Sequence, residues 1–85
     1  DLHIDEALKQ RIIAKCKENA FQQFGDYKVE RVETIDGFKF FLPNERWVMI
    51  RPSGTEPVLR VYAEAPTLEE VRTILKQTEE VVRNI

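Results

Sequence analysis

The run Arg51-Pro-Ser-Gly-Thr-Glu-Pro57 holds residue types that suit an oxyanion better than they suit a strand or a helix. Arg51 offers a planar, permanently charged fork that can hold two oxygens of one phosphate or carboxylate. Ser53 and Thr55 place hydroxyls on either side of Gly54, where the missing side chain lets the backbone approach a ligand and take positive φ. Successive N–H groups of such a loop can form an anion nest. Pro52 and Pro57 restrict φ near both ends, lowering the entropy cost of ordering the loop. The same residues also build ordinary turns, and what separates an anion site from a plain strand connection here is the arginine. Glu56 is the misfit. A carboxylate in an anion loop repels phosphate, so it either turns outward or pairs with an arginine to orient it.

The loop must be held by its neighbours. Trp47 to Ile50 is a continuous apolar run that predicts a central strand covered on both faces, and it delivers Arg51. After the loop, Leu59, Val61 and Ala63 alternate with Arg60, Tyr62 and Glu64, so one face packs inward and the other points outward. Arg60 has two open readings: a second cation near a bound phosphate, or a cross-strand partner for an acidic side chain.

The run from Val58-Leu-Arg-Val-Tyr-Ala-Glu-Ala65, taken with Arg51 to Pro57, resembles the phosphate-binding loop and following strand of the α-D-phosphohexomutases. That group comprises phosphoglucomutases, phosphomannomutases and phosphoglucosamine mutases. The resemblance covers the whole chain and matches the fourth, C-terminal domain of the family, while the phosphoserine, the acidic magnesium loop and the sugar-recognition loop belong to the first three domains. It implies an isomerase that interconverts hexose 1-phosphate and hexose 6-phosphate through a bisphosphate intermediate. It further implies that Arg51, Ser53, Gly54 and Thr55, with Arg60, hold the non-reacting phosphate. By the same resemblance Mg2+ is bound by another domain of the full-length enzyme, and the partners are a sugar phosphate and the other domains of the parent chain.

Composition bounds the alternatives. At 85 residues the chain is one small domain, able to bury about 60% of its unfolded surface. A net charge of −2, with both signs spread along the chain, argues against a nucleic-acid or polybasic membrane surface. No apolar run approaches the ~20 residues that span a bilayer, and no signal segment opens the chain. A single cysteine cannot form an internal disulfide, so a cytoplasmic location is expected. A start at Asp1 suggests an excised fragment or a trimmed product.

Taken in order, Leu8, Ile12, Cys16 and Ala20, widened by Ile13 and Phe24, predict an amphipathic helix from about Ile4 to Phe24. Asp1 or Asp5 caps its start, and Gly25 is placed to end it. Cys16 lies in the buried stripe and is read as a small core residue, while His3, near a frayable end without a metal-ligand partner, is assigned no role. From Tyr27 the chain turns extended, and the slip between Val29 and Val32 indicates either a bulge or a later strand start. Asp36-Gly37 before Phe38 to Leu42 is a type I′ hairpin signal. Phe38, Phe40 and Phe41 are read as core and edge packing, and Pro43-Asn44-Glu45 as a second turn. Thr67 and Glu70 form a capping box for a closing helix whose stripe is Leu68, Val71, Ile74, Leu75, Thr78 and Val82.

The expected fold is α+β: a four-stranded antiparallel sheet with two helices on one face, in the order αββββα. The fragment offers no catalytic carboxylate pair, no metal-ligand spacing and no nucleophile beside a base, so it is expected to be inactive alone. The competing reading is a stand-alone interaction module in which 51–57 merely connects strands.

Overall fold

The computed structural model describes residues 2–85. The α+β class holds, but the architecture is richer than four strands. Seven strands and two helices follow in the order β1 (Leu2–His3), α1 (Glu6–Lys17), β2 (Gln23–Phe24), β3 (Tyr27–Lys28), β4 (Arg31–Glu33), β5 (Phe38–Leu42), β6 (Arg46–Pro52), β7 (Val58–Glu64) and α2 (Leu68–Arg83). Five form an antiparallel sheet in the order β1-β7-β6-β5-β4, and β2-β3 form a separate hairpin. The fifth strand is the opening segment, which pairs His3 with Val58 and Leu2 with Leu59. His3 is thus paired in the sheet, at its edge. A two-residue strand carries too little periodicity to be seen in advance.

α1 is shorter than its apolar spacing suggested. Asp5 is the N-cap, its carboxylate accepting from the Leu8 amide at 2.7 Å; the alternative cap, Asp1, lies outside the described residues. The helix ends eight residues before Gly25, at a Schellman turn built on an asparagine. Asn19 takes φ +56°, its amide donates to the Cys16 carbonyl at 3.1 Å, and the Ala20 amide donates to Lys15 at 2.9 Å. Ala20 and Phe24 therefore leave the helix. Gly25, at φ +58°, instead turns the β2-β3 hairpin, where a Cβ would overlap Gln77 of α2. Gln77 accepts from the Asp26 amide at 2.9 Å and docks that hairpin.

The hairpin signals also exchange places. Glu33 pairs with Lys39, so Asp36-Gly37 lies in a longer loop with positive φ only at Gly37 (+90°). Two consecutive positive φ values, which a type I′ turn requires, occur instead at Asn44 (+60°) and Glu45 (+62°). The extended segment starting at Tyr27 divides into β3 and β4, which is the physical basis of the slip between Val29 and Val32.

One core joins all layers. Phe40, Leu42, Val48, Ile50 and Leu59 point from the sheet toward Ile12 and Cys16 of α1 and Ile74 and Val82 of α2. Phe24 packs edge-on to Phe40 with centroids 5.0 Å apart, and Phe21 joins them. Phe41 faces the other way, with the Arg31 guanidinium 3.7 Å above its ring, and so belongs to the outer face. The Thr67 hydroxyl caps α2 by accepting from the Glu70 amide at 3.1 Å. The Glu70 carboxylate does not complete the box: it pairs with Arg46, tying the start of α2 to β6.

Candidate functional site

Alternation along β6 buries Val48 and Ile50 and turns Trp47, Met49 and Arg51 to the opposite face. The strand runs through Arg51 to Pro52, so the free loop is Ser53–Pro57, shorter than the flanking apolar runs suggested. Arg51 is exposed rather than locked into the interior, with its Nε 3.6 Å from Asp36 Oδ1. Arg60 stands directly opposite Arg51 on β7. Among the described residues it makes no ion pair within 4.0 Å.

The support behind Arg51 is Gly37. At φ +90° an added Cβ would lie 3.0 Å from the Ile50 carbonyl oxygen and 3.3 Å from Arg51 Cβ, so only glycine lets the 34–37 loop press against this point of β6. The Asp36-Gly37 pair thus sets the base of the arginine and places a carboxylate beside it.

The loop itself is folded around a serine. The Ser53 amide donates to the Val58 carbonyl at 3.0 Å, while Ser53 Oγ accepts from the Glu56 amide at 3.2 Å and the Thr55 amide at 3.4 Å. Two N–H groups therefore converge on one oxygen, the arrangement expected of a nest, except that the oxygen is the protein's own. Gly54 does not use positive φ, contrary to expectation; nothing lies within 4 Å of a Cβ built on it, so its face is open. Pro57 sits at the centre of a tight turn in which the Val58 amide donates to Glu56 at 2.8 Å. The Glu56 side chain is exposed and, among the described residues, unpaired, so it has turned outward.

The C-terminal end of the loop is held by two distant parts of the chain. The Ile4 amide donates to the Pro57 carbonyl at 3.1 Å, and Lys9 Nζ donates to the Glu56 carbonyl at 3.0 Å. Sequence reasoning missed Lys9, although its position three residues before Ile12 places it on the buried stripe. Its lysine identity hid it.

A cleft of about 520 Å³ brings Arg51, Ser53 and Gly54 together with Lys9, Asp36 and Gly37. Thr55 and Arg60 lie outside its lining. A larger cleft, about 840 Å³, crosses the outer sheet face between Phe41, Trp47 and Glu64 and contains none of the predicted site residues. The smaller cleft is the chemically coherent one, because cations, a hydroxyl and open backbone meet there.

No group of three or more His, Cys, Asp or Glu among the described residues could hold a metal ion. Cys16 is no nucleophile either: burial pushes its thiol from an ordinary 9.0 up to about 12. No helix of the described residues is long and apolar enough to cross a membrane.

The chain is an α+β domain that presents a cationic loop between two inner strands. The sequence profile of the phosphoglucomutase/phosphomannomutase C-terminal domain matches residues 6–81, and the chain belongs to that family. It is 36% identical over 81 residues to a probable phosphoglucosamine mutase of Methanosphaera stadtmanae, covering 95% of this chain and 18% of that protein. It is 41% identical over 59 residues to a phosphopentomutase of Thermococcus kodakarensis, covering 69% of this chain and 13% of that one. A phosphoglucomutase/phosphomannomutase of the same organism is 35% identical over 71 residues, 84% of this chain and 14% of that protein. The chain thus spans less than a fifth of the length of these relatives.

Proposed function

We propose that this domain is the phosphate-gripping C-terminal domain of a larger sugar-phosphate mutase, and that Ser53–Pro57 with Arg51 and Arg60 holds the phosphate that is not reacting. One observation carries the reading: two exposed arginines face each other across a ladder beside an open glycine. Like charges placed opposite one another cost stability in a free protein and gain a purpose when an anion lies between them.

On this reading the phosphate approaches the open face of Gly54 and draws the Arg51 guanidinium from Asp36. The Ser53 hydroxyl turns from accepting loop amides to donating, releasing the Thr55 and Glu56 N–H groups to the anion. Gripping only the phosphate leaves the sugar free to present either end, and binding energy realised here helps close a cleft over the reacting end. The domain positions and makes no bonds. The relatives' names span glucosamine, pentose, glucose and mannose phosphates, and a grip confined to phosphate suits all of them.

The test follows the backbone amides of the chain by NMR while inorganic phosphate, then glucose 1-phosphate, is added. Shifts are expected to concentrate between Arg51 and Arg60 and to saturate on the order of millimolar, because few contacts offset the ligand's lost freedom. Uniform or absent shifts at high concentration would favour a module without a phosphate site.

A further inference from the structure

Lys9 is the one charged residue among the described residues that is buried, at 5% exposure. Burying an ammonium is unfavourable unless its donors are engaged, and packing alone would be served by Leu or Met at this place on the Lys9-Ile12-Cys16 stripe. The neighbouring acid does not account for it. Glu6 Oε1 is 3.9 Å away, beyond hydrogen-bond reach, on an exposed side chain that accepts from Gln10 Nε2 at 2.7 Å through its other oxygen. Among the described residues the one short contact of the ammonium is the Glu56 carbonyl at 3.0 Å, 47 residues along the chain.

We propose that Lys9 is a positioning residue for the loop Ser53–Pro57. Its ammonium reaches out of α1, fixes the loop's second half through the Glu56 carbonyl, and leaves its remaining donors and its charge at the wall of the cleft shared with Arg51 and Ser53. That carbonyl also accepts from the Val58 amide, so one oxygen ties together the turn at Pro57 and the helix. The Thr55 and Glu56 amides, which the phosphate reading releases to the anion, hang directly from this anchored point. The inference rests on that reading for its purpose, but the anchoring itself does not.

The experiment compares the wild-type chain with Lys9→Met, which keeps the aliphatic stem, and Lys9→Arg, which restores charge and donors. Amide spectra and relaxation are recorded without ligand and during an inorganic phosphate titration. In Lys9→Met the amides of Gly54 to Glu56 are expected to shift and become more mobile before any ligand is added. Phosphate affinity is expected to fall roughly tenfold, the value of one charge-assisted hydrogen bond, and Lys9→Arg should recover most of it. Unchanged loop amides with wild-type affinity in Lys9→Met would overturn the inference. If that variant fails to fold, the wild-type ¹⁵N ammonium resonance decides: a slowly exchanging Lys9 signal that follows the titration supports the role, and one that is exchange-broadened or unmoved refutes it. A wild-type protein indifferent to phosphate would sink the phosphate reading alone, since altered loop mobility in Lys9→Met would still establish the anchor.

Discussion

Arg51 and Arg60 are direct cross-strand partners on β6 and β7, two cations facing each other at the mouth of the loop. Among the described residues only Arg51 has an acid within 4.0 Å, Asp36 at 3.6 Å. Arg60→Thr, which introduces a good strand former, should raise stability by about 0.2–1 kcal/mol in low salt through relief of repulsion, while weakening phosphate binding. Arg51→Ala should abolish the phosphate response and leave the fold intact. Urea unfolding and the amide titration read both, and an Arg60→Thr protein that is less stable yet binds phosphate normally would refute the pairing.

The two loop-facing glycines should respond oppositely. Gly37→Ala combines φ +90° with a contact 3.0 Å from the Ile50 carbonyl and should cost roughly 1–3 kcal/mol. Gly54→Ala meets no neighbour and should leave the unfolding midpoint where it is, within about 0.5 kcal/mol. Its phosphate affinity should nevertheless drop, because the new methyl occupies the open approach. A thermal melt and a titration of each variant suffice.

Asn19 is the left-handed residue of the α1 terminus, at φ +56°. Asn19→Gly should stabilise the chain by a few tenths of a kcal/mol, and Asn19→Ala should destabilise it by about 1 kcal/mol. Identical melting of the two variants would contradict the cap.

The Cys16 thiol, held up to about 12 by burial from an ordinary 9.0, ties stability to alkaline pH. Its folded value lies above its unfolded one, so the stabilisation is complete below pH 9 and is lost as the pH climbs from there toward 12. The urea midpoint of wild type should therefore fall more steeply over that window than that of Cys16→Ala. At pH 8, reaction with a disulfide reagent should be slow and should accelerate in step with urea. Labelling at the rate of a free thiol would contradict the burial.

Part of the candidate cleft could be seen in the residues. Arg51, Ser53 and Gly54 share one cleft, and β6 delivers the arginine as its apolar run implied. What stayed hidden depends on distance along the chain. Lys9 meets Glu56, Gly37 meets Ile50, and Leu2–His3 pairs with β7 only after folding. Local signals were also displaced where a less favoured residue took the position: Asn19 replaced a glycine at the helix end, and Asn44-Glu45 replaced Asp36-Gly37 in left-handed geometry. Glu70 left its capping role because Arg46, a tertiary partner, attracts it more strongly than a backbone amide.

The sheet order also bears on how the molecule comes apart. Both strands that suspend the loop are interior, flanked by β5 on one side and the two-residue β1 on the other. Fraying should begin at β1, at β4 and in the β2-β3 hairpin, so amide exchange ought to be slowest along the β6-β7 ladder. Partial melting would then strip away the outer layers while the ladder beneath the cationic loop keeps its shape.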